Sequence, residues 1–169
     1  MDEKEFEDLM SVNEYFIGVP DCVADGNSYK QDIEESCRIT NGILILNEFS
    51  WSQTDEEYIL ELRINKKSQK LTLSKMGDFV DYESFISGMN TILRESGYDG
   101  EKRFCEISNV EIDYGVAFIT LGKEIELIEK ELLRGSSEAH EKMEEQKENQ
   151  NQIDSPSNSS HKPWWKFWN

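Results

Sequence analysis

Histidine is the scarcest chemically useful residue type in this chain of 169 residues. The only two, His140 and His161, lie in a polar C-terminal stretch outside the predicted folded body. A body without histidine lacks the general base of Ser-His and Cys-His nucleophilic sites. It also lacks the commonest ligand of zinc and iron. We therefore expect no metal, no cofactor and no enzymatic activity, with a carboxylate-dependent enzyme as the outlying alternative.

Cysteines and long apolar runs are also few. Cys22, Cys37 and Cys105 are odd in number and contain no CxxC pair, which is typical of reduced thiols rather than of a disulfide framework. The longest apolar runs have four residues, against the roughly 18 of a membrane-spanning helix. Residues 1–5 are acidic and lack the basic start of a signal peptide. These features predict a cytoplasmic protein.

Basic residues are outnumbered: 18 Lys and Arg face 35 Asp and Glu, for a formal charge of −17. Binding to phosphate backbones depends on Lys and Arg, so we expect no nucleic-acid partner. A field of one sign speeds encounter with the opposite sign, which favours a basic protein partner. The alternative is that the acidity serves solubility alone. Residues 1–36 are the most acidic part, and Asp32, Glu34 and Glu35 are candidate partner-binding residues there.

Apolar periodicity predicts an α+β domain over residues 1–134, with an antiparallel sheet of about five strands and helices on one side. The predicted strands are 43–49, 58–64, 71–73, 103–107 and 111–120, with a turn at 65–68. The predicted helices are 5–10, 78–96 and 121–134. In the helix 78–96, Asp78 is the candidate N-cap and Gly97 the C-cap.

Residues 20–27 are predicted to form a loop because they are rich in Asp and Gly. Asp21, Asp25, Gly26 and Asp32 partly match the spacing of an EF-hand loop. Position three of that pattern is Val23, and no helix is predicted after the loop. We therefore interpret the segment as an ordinary turn rather than a calcium site.

The C-terminal part differs in composition. Residues 135–161 contain only Ala139, Met143 and Ile153 as apolar residues, so they cannot build a core and are predicted to be a disordered, acidic linker. Within this linker, 138–150 could extend the last helix. Residues 162–169 carry three of the four tryptophans of the chain. Its candidate binding residues are Lys162, Trp164, Trp165, Lys166, Phe167 and Trp168.

Three binding alternatives remain open for this terminal octapeptide. Tryptophan is enriched at binding hot spots, which favours docking into another protein as a short linear motif. Trp and Lys are also favoured at membrane interfaces, so a weak membrane contact is the second alternative. In the third, the octapeptide packs on its own domain.

Two family resemblances concern residues 1–134. The element order, small size and acidity resemble class I type III secretion chaperones, which dimerise and wrap an effector's unfolded segment around their sheets. The acidity and lack of catalytic groups resemble immunity proteins of bacterial toxin systems, whose acidic faces plug basic nuclease sites.

These features predict a non-enzymatic protein-binding domain that neutralises or escorts a basic protein partner. Toxin immunity is the first variant and a secretion-chaperone-like protein the second. The third is an adaptor tethered to a membrane or to a partner protein through its Trp-rich C-terminus.

Overall fold

The computed structural model describes residues 14–17, 25–76, 81–107, 115–130 and 137–154. These residues form a mixed α+β fold, as the periodicity predicts. The elements in chain order are β1 (Tyr15–Ile17), α1 (Gly26–Ile39), β2 (Leu46–Gln53), β3 (Glu57–Ile64), β4 (Lys67–Ser74), α2 (Tyr82–Glu95), β5 (Lys102–Ile107), β6 (Gly115–Thr120), α3 (Leu121–Glu129) and α4 (Ser137–Asp154).

The strands form two antiparallel sheets of three strands each, which corrects the prediction of one sheet of about five. Sheet A has the order β1-β6-β5 and sheet B the order β2-β3-β4. The sheets are separate because α2 lies against both β4 and β5. The side chain of Asn90 in α2 also hydrogen-bonds the backbone of Phe104 in β5.

Sheet B has one buried and one exposed face. In β3, Tyr58, Leu60, Leu62 and Ile64 are buried and alternate with more exposed residues, as the period of two predicts. The hairpin to β4 is confirmed, with Asn65 and Lys66 at the turn. Both have positive φ, 50° and 65°, the conformation of the two-residue turns that suit twisted strands.

Sheet A is covered on both faces, so the prediction of helices on one side is wrong for it. One face, with Phe104, Val116 and Phe118, joins the main core together with α1, α2 and sheet B. The other face forms a second apolar cluster in which Ile119 of β6 and Leu127 of α3 are buried. Sheet A is therefore the middle layer of this part of the fold.

Helix α1 occupies a region for which no helix is predicted. Asp25 caps it, accepting hydrogen bonds from the backbone N–H groups of Asn27 and Ser28 at 2.8 and 2.9 Å. Tyr29, Ile33 and Cys37 recur every fourth residue on its buried face. Asp25 is thus a helix cap rather than part of a calcium loop, and the predicted helix 5–10 lies outside the described residues.

The later helices agree better with their predictions. Helix α2 begins after Asp81, which takes the capping role predicted for Asp78, and Gly97 follows its end with a φ of +92°. Helix α3 is observed to Glu129, and the remainder of its predicted length, 131–134, lies outside the described residues.

Helix α4 lies in the segment predicted as linker. It includes the helical alternative over 138–150 and runs on to Asp154, into the stretch predicted as a tether. Ala139 near its start is fully buried, and α4 contacts α3. No helix in the described part of the chain is long and apolar enough to cross a membrane.

Candidate protein-binding surface

Asp32, Glu34 and Glu35 all lie on α1, but only two of them face solvent. Asp32 is 1% exposed, so we correct its assignment to a docking surface: its position next to Ile33 turns it towards the core. Glu34 is exposed and lies 3.7 Å from Lys30. Glu35 is half-buried and accepts a hydrogen bond from the Nε of Arg38 at 2.6 Å.

The terminal octapeptide, residues 162–169, lies outside the described residues together with its six candidate binding residues. Its binding role stays a prediction. Ala139 in α4 is buried and α4 contacts α3, so a deletion that reaches into α4 would also disturb this packing. A truncation that removes the octapeptide without disturbing this contact starts at residue 155.

One concave surface, which sequence reasoning missed, is a cleft between β4 and α2. It encloses about 430 Å³. Gln69, Lys70, Leu71 and Thr72 line it from β4, and Glu83, Ser84, Ser87, Gly88, Thr91, Ile92 and Glu95 line it from α2. We call it the β4–α2 cleft. No motif marks it, because it arises from two elements whose apolar residues point elsewhere.

The α2 helix lies alongside β4 over most of the strand. At one end, Asp81 Oδ2 accepts a hydrogen bond from the backbone N–H of Ser74 at 3.0 Å. At the other end, Lys67 Nζ donates to the backbone oxygen of Glu95 at 2.8 Å. The helix therefore runs antiparallel to β4, and the cleft follows the strand.

Helix and strand meet most closely at Gly88. A Cβ atom at Gly88 would lie 2.4 Å from Cδ2 of Leu71, so only glycine fits without movement of that side chain. Leu71 is buried and points under the sheet. Next to Gly88, the cleft side of α2 carries the small residues Ser84, Ser87 and Thr91, with Glu83 and Glu95 towards its two ends.

The outer edge of β4 leaves backbone groups open. Ile64 and Lys67 flank the two-residue turn and form its first hydrogen-bonded pair, after which bonded and non-bonded pairs alternate. Ser68, Lys70, Thr72 and Ser74 consequently direct their N–H and C=O groups away from β3. Among the described residues, only Ser74 of these four has a partner for its outward N–H group, the carboxylate of Asp81.

The corresponding edge of sheet A is closed. Asn90 donates from Nδ2 to the backbone oxygen of Phe104 and accepts from its N–H group, both at 2.9 Å. This amide imitates the pairing of a neighbouring strand at the centre of β5. The contrast with β4 shows that α2 covers one of the two edges it touches and leaves the other available.

Unpaired carboxylates surround both ends of sheet B. Within the described ranges, eleven exposed acidic side chains have no ion-pair partner. Seven of them lie at the β2–β3 turn, on α2 or in the loop after α2: Asp55, Glu56, Glu57, Glu83, Glu95, Asp99 and Glu101. The other four are Glu61, Glu129, Glu141 and Glu144. Glu83 and Glu95 belong to the β4–α2 cleft itself. The charge available to a partner therefore lies at this cleft and its flanking turns rather than on α1 alone.

A second and larger cleft, of about 600 Å³, lies on the exposed face of sheet B. Arg63 pairs with Glu48 at 2.8 Å and neutralises its charge, and the Glu61 carboxylate accepts a hydrogen bond from Ser50 Oγ at 3.3 Å. Lys70, which lies opposite Glu61 on β4, adds a further positive charge. This surface offers less net charge to a basic partner than the β4–α2 cleft.

Two cysteine thiols of the described body, Cys37 and Cys105, are buried. Burial raises the pKa of the Cys37 thiol to about 11. Burial, then the nearby Glu124 carboxylate, raises the pKa of Cys105 still further, and Cys105 lies in the core at 3% exposed. Both thiols are therefore protonated at neutral pH and are weak nucleophiles. No cluster of three potential metal ligands occurs in the part of the chain that is described.

Searches against protein families, curated proteins and solved structures find no match to this chain.

Proposed function

We propose that this chain is a non-enzymatic, cytoplasmic protein-binding domain that neutralises or escorts a basic protein partner. The observation that carries this proposal is the set of unpaired carboxylates around sheet B. Exposed charges without partners keep their full field, which attracts opposite charge and speeds association. The buried thiols and the histidine-free body support a role in binding rather than in covalent chemistry.

The neutralising variant, toxin immunity, requires only that acidic surface covers a basic site. The escorting variant has a specific observation in its favour. After β1, the described elements up to α3 follow the order helix, three strands, helix, two strands, helix. This order matches the one behind the resemblance to secretion chaperones, with α1 as the first helix in place of the predicted helix 5–10. We therefore keep a secretion-chaperone-like protein as the second candidate function.

An association experiment tests the proposed function. The full chain is immobilised, a partner is captured from cells that express it and eluted with salt, and the purified partner is then reconstituted. We expect its association rate to fall steeply with salt, because exposed charges act chiefly on the on-rate. An association rate independent of salt would show that the acidity serves only solubility.

Two matched variants locate the effect. Glu34→Gln with Glu35→Gln removes the two exposed acids predicted on α1, and Glu144→Gln with Glu145→Gln removes two from α4. If α1 takes part in docking, only the first pair slows association. Catalytic turnover that disappears on substitution of a single body carboxylate, with folding intact, would contradict the non-enzymatic proposal.

A further inference from the structure

We propose that the open edge of β4 binds an extended segment of the basic partner as an additional strand. The side of α2 that lines the β4–α2 cleft would lie beneath this strand, and we call it the floor. This inference rests on the proposed function, because it names the part of the partner that is bound and where it binds. An exposed strand edge is a template for pairing with another chain, and strand addition is a recurring mode of peptide recognition.

The first support is the pattern of open backbone groups. Ser68, Lys70 and Thr72 direct both N–H and C=O groups to the same edge, and the described residues provide them with no partner. They recur every second residue, which is the spacing at which a paired strand presents its own groups. Ser74 is capped by Asp81, so the available edge ends at Thr72.

The second support is the shape of the floor. A strand paired with β4 turns every second side chain towards α2. Ser84, Ser87 and Thr91 on the solvent side of α2 are small, which leaves the cleft deep enough for medium-sized apolar side chains. Gly88 brings the helix close under Leu71, so the floor lies at the edge of the sheet.

The third support is charge at both ends of the floor. Glu83 and Glu95 are exposed, and in the described ranges neither carboxylate forms an ion pair. They are twelve residues apart on α2, or about 18 Å at the rise of a helix. An extended segment of seven residues spans about 20 Å between its first and last residues. A segment with one basic residue at its first position and one at its last therefore places one positive charge near each carboxylate.

Net charge favours a basic segment over a second copy of this chain as the occupant of the β4–α2 cleft. A second copy of this chain carries the same formal charge of −17, which opposes self-association at this edge. A segment with Lys or Arg at positions one and seven, and apolar residues between them on the same face, complements both the ends and the middle of the cleft.

The test measures binding of a fluorescein-labelled peptide, Arg-Thr-Val-Thr-Val-Thr-Arg, to the full chain by fluorescence anisotropy at low salt. Its control is Arg-Pro-Val-Pro-Val-Pro-Arg, which keeps the charge and the valines but lacks, in antiparallel pairing, the three N–H groups that face β4. We expect the valine–threonine peptide to bind and the proline peptide to bind about tenfold more weakly or not at all, because main-chain hydrogen bonds are lost. Equal binding of the two peptides would show that strand pairing contributes nothing and overturn the proposal.

Three variants of the chain locate the site. Thr72→Pro removes an outward N–H group, and Ser87→Phe fills the floor. Each should weaken binding of the valine–threonine peptide about tenfold, the equivalent of roughly one hydrogen bond or buried contact. Glu83→Gln with Glu95→Gln should weaken it about fivefold at low salt, as two exposed ion pairs are lost.

Matched controls are Ser50→Phe, in the cleft on the exposed face of sheet B, and Glu129→Gln with Glu144→Gln, which makes the same change in net charge on α3 and α4. Both should leave the affinity unchanged. Thermal melts establish that each variant is folded, and if Thr72→Pro does not fold, Ser87→Phe and the Glu83/Glu95 pair decide. Unchanged affinity in those variants would overturn the proposal.

Two further results would assign the cleft to another occupant and also overturn the proposal. One is a dimer of the full chain, seen by light scattering, that Ser87→Phe converts to a monomer. The other is displacement of the valine–threonine peptide by a synthetic peptide of residues 162–169. If the captured basic partner binds these variants as tightly as the unmodified chain, the cleft proposal fails while the proposed function stands.

Discussion

The two sheets of this protein have the same number of strands and the same antiparallel pairing, but their surroundings are opposite. In sheet A, the residues of β6 from Gly115 to Ile119 are all buried, because helices cover both faces. In sheet B, buried and exposed residues alternate along β3. Asn90 closes the β5 edge, whereas the β4 edge opens into a cleft.

This difference separates structural from binding roles. Sheet A holds α1, α2 and α3 together and presents little of its own surface, so substitutions there should act on stability. Sheet B presents a polar face, an open edge and unpaired carboxylates, so substitutions there should act on association. The predictions below test this division.

Phe118→Ala in sheet A should have the largest effect. Phe118 is 2% exposed and packs against Phe104 and Tyr98, with ring centroids 5.1 and 5.8 Å apart. The cavity should lower the free energy of unfolding by about 3–5 kcal/mol, as measured by urea denaturation. The control is Phe49→Ala in the edge strand β2, where the side chain is only half-buried. An equal loss at both positions would contradict the division.

Glu124→Gln should follow in size. The Glu124 side chain is 0% exposed and accepts from Arg103 at 2.6 Å. Its replacement leaves the guanidinium of Arg103, whose side chain is 20% exposed, without this counter-charge. We expect a loss of about 3 kcal/mol. Glu48→Gln breaks a pair with Arg63 whose side chains are 47% and 69% exposed, and should cost less than about 1 kcal/mol. Similar losses would show that burial of the ion pair matters little.

Asn90→Ala should reopen the β5 edge. The variant leaves the N–H and C=O groups of the buried Phe104 without their partner, which should cost about 2 kcal/mol. Asn47→Ala is the control, because Asn47 is exposed and water can replace its bond to the Lys66 N–H group. Amide hydrogen exchange should show faster exchange at Phe104 in the Asn90 variant. Unchanged exchange there would mean that another group covers this edge.

A smaller effect should follow from pH. Burial raises the pKa of Asp81, but the hydrogen bonds from Ser74 and Ser84 outweigh it, so the folded pKa lies below the ordinary value of 3.8. Asp81 therefore stabilises the fold above that value, and the stabilisation is lost as the pH falls through the lower folded pKa. Asp81→Asn should flatten the acid part of the stability curve. An unchanged slope between the variant and the original chain would exclude this role.

The regular parts of the fold could be predicted from sequence. The β3–β4 hairpin is visible because its apolar residues alternate, and α2 because Phe85, Met89 and Ile92 recur at spacings of three and four. The sequence pattern does not predict α1, because Asp32 and Ser36 lie on its buried face among the apolar residues. These polar residues interrupt the apolar periodicity that indicates a helix. The signal was nevertheless present in Asp25 as a cap and in the spacing of Tyr29, Ile33 and Cys37.

The division into two sheets and the β4–α2 cleft could not be predicted. Period and spacing determine which face of a strand is buried, but not which strand edges meet. Here a single amide, Asn90, takes the place of a strand beside β5. The three-residue strand β1 is also too short to show a period, and the cleft depends on how α2 lies along β4.

Amide hydrogen exchange, measured by NMR on the free chain and on its complex with the captured basic partner, tests the central claim most directly. In the free chain, Ser68, Lys70 and Thr72 should exchange at least about tenfold faster than Gln69 and Leu71, because their N–H groups are unbonded. Binding should slow these three amides and leave β6 unchanged. Protection of these amides in the free chain, or unchanged exchange in the complex, would contradict the account.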